Sequence, residues 1–387
     1  MKIVYIHQYY LTQEQGGAIR SYYISQALKA KGHDVHIITS HNKLHPETKL
    51  IDGTTVYYLP VGYDNSYGFA KRIIAFLSFI FKAYATAKKI KGADLVFATS
   101  TPLTVGLIAL WLRKFQKLPF VFEVRDLWPE APIQLGYLNN PVLRFLAKRL
   151  EKSIYNKASS IIALSPGMEE GIKKISNTPT TVIPNMSDCD FFIPAPSPPL
   201  PVTITYLGAL GKVNRVASLV ELAAYAQTYF PGDYKFIIAG QGSEMEKLQQ
   251  LAKPLKNIEF RGSLNKDAVK NLLAHSHVTY TSFGPQPVLE TNSPNKFFDS
   301  IAMGKVCVIT TKGWICDLIQ DHEIGFYYSA NNPAAFFRKL VTLAPSMSSY
   351  DEIAKRSRAL AEKQFNKNTL TAQVTTVLES ALSKRPS

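Results

Sequence analysis

Phe191-Phe-Ile-Pro-Ala-Pro-Ser-Pro-Pro-Leu-Pro201 divides the sequence into two halves. Five prolines in eleven residues exclude a helix or a central strand, because proline lacks the N–H that either ladder needs. The stretch therefore reads as a linker. On its N-terminal side, apolar strand-like runs at residues 2–7, 35–39, 55–59, 95–98, 120–123 and 160–164 alternate with helical patterns at 17–31 and from 69 onward. On its C-terminal side the alternation restarts, with strands at 203–207, 234–239, 258–260, 278–281 and 306–310. Helices at 215–228, 244–252, 267–274, 296–303 and 333–343 separate or follow them, and the tail from 350 to about 381 is helical. Short, wholly apolar strands between amphipathic helices predict parallel sheets covered on both faces. The expectation is α/β, with two similar Rossmann-like domains hinged near residue 195 and a ligand between them, where loops at the carboxyl ends of both sheets face one cleft.

The chain has 387 residues, 46% of them hydrophobic and 19% charged, which excludes an extended disordered chain and suits two domains. Three cysteines, Cys189, Cys307 and Cys316, have no spacing pattern and exclude a disulfide scaffold. The apolar run at the start ends at His7, too short for a signal peptide core, and no run of about 20 apolar residues reads as a spanning helix. The expected location is the cytoplasm, peripheral on the inner face of the plasma membrane.

A net charge of +15 suits an anionic partner. The cations cluster with apolar residues in the first 155 positions. Lys71-Arg-Ile-Ile-Ala-Phe-Leu-Ser-Phe-Ile-Phe-Lys82, Leu110-Trp-Leu-Arg-Lys-Phe-Gln-Lys117 and Leu143-Arg-Phe-Leu-Ala-Lys-Arg-Leu-Glu-Lys152 read as basic helices bearing Phe, Trp and Leu. They are either helices covering a sheet with solvated lysines or an interfacial face for an anionic membrane. Their concentration in one half favours the membrane. No zinc spacing, RNA-binding aromatic motif or helix-turn-helix pattern supports nucleic acid.

Three constellations carry candidate chemistry. Gln13-Glu-Gln-Gly-Gly-Ala-Ile-Arg20 follows the first strand and opens a helix, so Gly16 and Gly17 allow close approach of a ligand to the backbone, or form only a tight turn. It lacks the Gly-x-Gly-x-x-Gly fingerprint of dinucleotide sites. Tyr206-Leu-Gly-Ala-Leu-Gly-Lys-Val-Asn-Arg215 repeats the arrangement in the second half: Gly208 and Gly211 free the backbone, and Lys212 and Arg215 bring cations to it. Ala239-Gly-Gln-Gly-Ser-Glu244 is a further strand-to-helix turn, read as structural. Leu289-Glu-Thr-Asn-Ser-Pro-Asn-Lys-Phe-Phe-Asp-Ser-Ile-Ala-Met-Gly304 is the strongest. Here Ser293 is expected to cap a helix with Pro294 at its first position. The free N–H groups there, with Lys296, would make a diphosphate site, and Asp299, one turn further in, would accept from a ribose diol. Asp188-Cys-Asp190 spells a metal-binding Asp-x-Asp, but it falls beside the linker. The eight histidines show no usual zinc spacing, although His7 ends the first strand and is placed to line the cleft.

Taken in order, Gly16-Gly17 with Arg20, Phe122-Glu-Val-Arg-Asp-Leu-Trp-Pro129, Val182-Ile-Pro-Asn185, Gly240-x-Gly-x-Glu244 and Ser293-Pro-Asn-Lys through Gly304 resemble GT-B glycosyltransferases of the large retaining family 4. The likeness is to bacterial enzymes that build O-antigen, capsule or exopolysaccharide, and among them to the L-fucosamine-transferase-like branch. It covers essentially the whole chain. It implies a GT-B fold with residues 1–195 as the acceptor-binding domain, 196–365 as the nucleotide-sugar-binding domain and 366–387 as a helix crossing back to the first. It implies donor contacts at Gly16, Gly17, Gly208, Lys212, Arg215, Asn292, Ser293, Asn295, Lys296 and Asp299, and acceptor contacts at Arg20, Arg125 and Glu130. Asp126 and Glu290 would be the catalytic groups, with no metal and no cofactor. The chain departs from the pattern in having Ala209 and Asn214 where cations are common. Eight rather than seven residues separate Glu290 from Asp299, with Thr291 at the expected place of the first acid. The implied activity is retaining, hexosyltransferase-type transfer from a nucleotide-diphosphate sugar, with UDP favoured by the branch resemblance, to a polyprenyl-linked or glycan acceptor. A nucleotide-sugar epimerase and a non-catalytic two-domain sugar-binding protein are the alternatives on the same architecture.

Overall fold

A computed structural model describes residues 1–15, 19–63 and 67–382. In the first half the strands are β1 (Lys2–Ile6), β2 (Asp34–His41), β3 (Glu47–Ile51), β4 (Thr54–Pro60), β5 (Leu95–Thr99), β6 (Phe120–Val124), β7 (Ser160–Ala163) and β8 (Thr180–Val182). The helices between them are α1 (Arg20–Ala30), α2 (Phe69–Ala87), α3 (Val105–Gln116), α4 (Glu130–Gln134), α5 (Pro141–Lys157) and α6 (Pro166–Lys173). The sheet runs in the order β3-β4-β2-β1-β5-β6-β7-β8. All neighbours are parallel except β3, which turns back antiparallel on β4 at the edge. The sequence reading missed β3 because its alternation of Glu47, Thr48 and Lys49 leaves it mostly exposed, without an apolar run to mark it.

The second half has β9 (Val202–Leu207), β10 (Tyr234–Ala239), β11 (Ile258–Phe260), β12 (Val278–Thr281), β13 (Val306–Ile309) and β14 (Gly325–Tyr327). They form an all-parallel sheet in the order β11-β10-β9-β12-β13-β14. Its helices are α7 (Ala217–Tyr229), α8 (Met245–Ala252), α9 (Lys266–Ala274), α10 (Asn295–Ala302), α11 (Trp314–Asp321), α12 (Pro333–Leu343), α13 (Met347–Gln364) and α14 (Lys367–Leu382). The central strands are buried along their whole length because helices cover both faces: Ile3 to Ile6 and Phe120 to Phe122 are fully buried.

Chain order reverses once in each sheet. The chain runs outward from β1 to β4, then returns to lay β5 beside β1; likewise it runs from β9 to β11 and returns to lay β12 beside β9. The crevices at the carboxyl ends of β1/β5 and β9/β12 are therefore the two places where open α/β sheets bind ligands.

The proline-rich stretch contains no regular structure, but it is not free. Phe192 is buried, and Arg358 of α13 donates from Nη2 to the Cys189 carbonyl (2.8 Å) and from Nη1 to the Phe192 and Ala302 carbonyls. The tail is two helices rather than one. At the break, the Ser187 N–H donates to Phe365 O (2.7 Å) and the Lys367 N–H to Ser187 O (3.0 Å). From there α14 packs on α1 and beneath β5, β6 and β7 of the first sheet. One hydrophobic core consequently runs from the α1 face of the first sheet, through Ile183, Met186, Cys189 and Phe192, into the second domain. A second core lies on the opposite face of the first sheet, under α2, α3 and α5.

Candidate functional site

At the first crevice, Arg125 and Asp126 leave the end of β6 and turn toward the ends of β1 and β5. The Arg125 N–H donates to Ser100 Oγ (3.0 Å), and its guanidinium lies 3.3 Å from His7 Nε2. His7 is buried; burial first, and then the Arg125 charge, hold its imidazole neutral. The accepting nitrogen is then Nε2, and Nδ1 carries the proton without a hydrogen-bond partner. Asp126 sits 3.4 Å from Thr101 Oγ1. Burial pushes its carboxyl up to about 6, against the pull of Arg125 and the Thr101 hydroxyl. A carboxyl poised there can take a proton from a hydroxyl near neutral pH.

The second crevice is framed by Gly208, just after β9, and Phe283, just after β12. Lys296, in the first turn of α10, reaches into it. Its Nζ lies 4.1 Å from the Tyr206 ring centroid and 5.7 Å from that of Phe283. The Tyr206 hydroxyl donates to Ala209 O (2.7 Å), which fixes that ring. Gly208 has φ +128°, and a Cβ there would come within 2.9 Å of Lys296 Nζ, so glycine is what leaves room for the ammonium. The Lys296 stem is partly exposed, but the ammonium is buried and has no hydrogen-bond partner. Burial lowers its pKa from 10.5 to about 7. One turn on, burial raises the Asp299 carboxyl to about 7, with Lys266 opposing and Asp188 adding to the rise. No hydrogen bond to the Asp299 carboxylate is formed among the described residues. The Lys296 ammonium, buried on the first turn of the helix, lacks the partner that burial demands, and the half-buried Asp299 carboxyl stands three residues further on.

Lys212 lies in a 3-10 turn (Lys212–Asn214), and Arg215 follows it with φ 44°, so α7 starts two residues later than expected. Both cations are exposed at the rim. The loop before α10 opens with another 3-10 turn, Pro287–Thr291. Glu290 is exposed, and a Cβ at Gly313 would come within 2.3 Å of its carbonyl, so glycine there permits close packing. Asn292 O accepts from Trp314 Nε1 (2.7 Å). Asn295 is the first residue of α10. Thr291, at the place expected for an acid, donates from Oγ1 to Val288 O (2.8 Å) and packs its methyl toward Gly167; it is a packing residue.

Two expectations, for Ser293 and Arg20, need correction. Ser293 does not cap α10: Pro294 occupies the cap position with no side-chain hydrogen bond, and Ser293 Oγ instead accepts from the Asn185 N–H (3.1 Å). Arg20 does not face an acceptor. It is 1% exposed, ion-paired through Nε to Glu123 Oε1 (2.9 Å), and donates to the carbonyls of Ile183 (3.0 Å) and Pro184. Every arm of its fork is occupied. Glu130 has as its described contact the Gln134 side-chain amide (2.8 Å), which reaches across to the second domain. Gly16 and Gly17 lie outside the described residues.

The hinge acid Asp188, half of the Asp-x-Asp pattern, is the centre of an ionic knot. It is 3% exposed and accepts from Lys266 (2.6 Å), Lys367 (2.5 Å) and the Tyr23 hydroxyl (2.6 Å). Burial alone would raise its carboxyl, but these donors hold it at about 2. Lys266 also lies over the rings of Tyr23, Phe191 and Phe192. The knot joins α1, the hinge, α9 and α14. Among the described residues no group of three or more His, Cys, Asp or Glu side chains comes together as a metal site. A hollow of about 710 Å³ whose lining includes Arg338, Lys339 and Arg356 lies along the edge strand β14, and none of Gly208, Phe283 and Lys296 lines it. Volume alone does not locate the site.

The comparisons agree with this geometry. Glycosyltransferase Family 4 matches residues 15–191, and Glycosyl transferases group 1 matches residues 201–345, one on each side of the proline-rich hinge. Among curated proteins, none matches the sequence. Among solved structures, sucrose-phosphate synthase from Thermosynechococcus elongatus is similar at 15% identity and TM-score 0.81, with 99% of each chain covered. HepE from Anabaena, solved in complex with UDP, is similar at 17% identity and TM-score 0.69, covering 98% of this chain and 100% of that one. WaaG, a glycosyltransferase involved in lipopolysaccharide biosynthesis, is similar at 15% identity and TM-score 0.69, covering 97% and 99%. With a family 4 domain before the hinge, a group 1 domain after it and a Rossmann-like sheet in each half, the chain belongs to the GT-B glycosyltransferases.

Proposed function

We propose that the enzyme transfers a sugar, with retention, from a UDP-sugar to a polyprenyl-linked or glycan acceptor during bacterial surface polysaccharide synthesis. The observation that carries the donor half of this reading is the Lys296 ammonium, buried without a partner in the first turn of α10, with the half-buried Asp299 carboxyl one turn on. A diphosphate would satisfy the Lys296 ammonium together with the free N–H groups at the helix start, and a ribose diol would satisfy the Asp299 carboxylate. Lys212 and Arg215 at the rim add charge for the same phosphates. Two similar proteins support this reading: HepE has been solved with UDP and with UDP-glucose, and WaaG is involved in lipopolysaccharide biosynthesis. An L-fucosamine-type donor rests on the sequence resemblance.

In this reading Asp126, raised toward neutrality in the opposite crevice, assists the acceptor hydroxyl, with Arg125 and His7 lining the same place. Glu290 faces the transferred sugar. Catalysis rests on positioning and on stabilising the leaving diphosphate, with Lys296 and Arg215 in place of a metal.

The acceptor half rests on an exposed face of the first domain. Ile74, Leu77 and Phe81 of α2, Phe115 of α3, and Val142, Phe145 and Leu146 of α5 are exposed, beside the exposed cations Lys71, Lys114, Lys117, Lys148 and Arg149. Large apolar side chains among lysines suit an anionic lipid surface, which would bring a lipid-linked acceptor to the cleft. No described helix is long and apolar enough to cross a membrane.

The test is release of nucleotide from a panel of UDP-, GDP-, ADP- and TDP-sugars with and without a polyprenyl diphosphate sugar. Release from a UDP-sugar that accelerates with acceptor supports the reading. Selective turnover of another nucleotide, or epimerisation without transfer, contradicts it.

A further inference from the structure

Residues 287–294 carry Glu290 and lead into α10, so they belong to the second domain by chain position. The first domain nevertheless holds them at three points. At their start, the Val288 N–H donates to Gln134 Oε1 at the end of α4 (2.9 Å), and the same side chain's Nε2 donates to Glu130 Oε1 (2.8 Å). The second bond fixes which way the amide faces. In the middle, the Thr291 methyl lies against Gly167 of α6, where an added Cβ would come within 2.8 Å of it. At the end, Asn185 donates its backbone N–H to Ser293 Oγ (3.1 Å) and its side-chain amide to Ser293 O. Arg20 in turn grips the two carbonyls just before Asn185, and Glu123, bonded to Thr99, neutralises Arg20. A chain of buried contacts thus runs from β5 and β6, the strands that present Thr101 and Asp126, to the segment that opens α10.

We propose that Gln134 and Asn185 are positioning residues for transfer: the first domain grips both ends of the 287–294 segment and so registers the donor against the acceptor crevice. The inference rests on the nucleotide-sugar reading and extends it. Support for donor binding alone is already present in the second domain, through Trp314 on Asn292 O and the Thr291–Val288 bond. The grips from Gln134 and Asn185 add nothing to nucleotide contact; they fix where the bound sugar lies relative to Asp126. A misplacement of about 1 Å between reacting groups costs on the order of a hundredfold in rate.

The experiment compares wild type with Gln134→Leu, Asn185→Ala and the double variant, all in the full chain. UDP affinity is measured by calorimetry. Transfer is measured at saturating UDP-sugar with a short-chain polyprenyl diphosphate sugar as acceptor, and free sugar from donor hydrolysis is counted separately. The expected result is a UDP Kd within about threefold of wild type, a kcat for transfer at least tenfold lower, and a larger fraction of donor lost to water. The double variant should lose less than the product of the single losses, because both side chains hold one segment. Gln134 is partly exposed, so Gln134→Leu keeps the test open if Asn185→Ala fails to fold. An unchanged kcat in Gln134→Leu, or a UDP affinity that falls in step with kcat, overturns the proposal alone. A wild-type protein that neither binds UDP nor consumes any UDP-sugar overturns this proposal and the functional reading together.

Discussion

Replacing Lys296 with methionine should stabilise the free enzyme while abolishing its hold on nucleotide. In the unfolded chain this lysine keeps its proton to about pH 10; in the folded, ligand-free protein burial lowers its pKa from 10.5 to about 7. Between those values the unfolded state binds the extra proton, so stability attributable to this group rises as pH rises and is lowest at and below pH 7. At about 1.4 kcal/mol per tenfold change, the depression corresponds to roughly 5 kcal/mol of unfavourable ammonium burial near neutral pH. Methionine fills much of the same space beside Tyr206 and Phe283 without that burden. Allowing for imperfect packing, Lys296→Met should be more stable than wild type by roughly 2–4 kcal/mol at pH 7. The gap should close toward pH 10 with a slope of up to about 1.4 kcal/mol per pH unit. Urea unfolding at several pH values reads this directly, and calorimetry on the same samples should show at least a tenfold loss of UDP affinity. A variant less stable than wild type at pH 7, or a stability difference that ignores pH, would refute the reasoning, since the ammonium would then be paired or solvated.

Other outcomes follow from the same geometry. UDP binding to wild type should strengthen between about pH 5.5 and 7, as Asp299 ionises to accept the ribose diol, and Asp299→Asn should flatten that rise in calorimetric titrations. Arg20→Ala should cost about 3–5 kcal/mol in urea unfolding, because it leaves Glu123 charged and uncompensated in the core; a loss under 1 kcal/mol would restore Arg20 to the acceptor site. Phe81→Ser with Phe145→Ser should reduce cosedimentation with phosphatidylglycerol vesicles severalfold, and full retention would move the membrane face elsewhere. Excess EDTA should leave transfer unchanged, whereas loss restored by a divalent ion would contradict the metal-free reading.

The alternation of apolar runs and helical patterns was enough to place most strands, because buried parallel strands announce themselves as continuous Val, Ile and Phe. It missed β3, β8 and β14, through polarity in one case and shortness in the others, β8 being a three-residue edge strand. β3 is a polar edge strand; β14 is only three residues long and packs its Gly325 against the Cys307 carbonyl. Lys296 and Asp299 are legible as donor candidates from Ser-Pro-Asn-Lys and helical spacing, yet nothing in the sequence says that the Lys296 ammonium is buried without a partner. Arg20 looked like a ligand cation because its neighbours are glycines. Its true partner, Glu123, lies 103 positions away, a pairing that only the return of β6 beside β5 creates. Ser293 was misread for a related reason. A Ser-Pro pair before a helix is an ordinary capping signal, and here Asn185 of the hinge competes for the hydroxyl. Asp188 looked like half of a metal motif because its three donors come from α1, α9 and α14, which are distant in sequence.

A crystal structure of the enzyme soaked with UDP tests the central claim most directly. The account predicts the diphosphate within hydrogen-bonding distance of Lys296 Nζ and the first N–H groups of α10, with the ribose hydroxyls on Asp299. A diphosphate bound elsewhere, with Lys296 still lying bare against Gly208 and Tyr206, would contradict it.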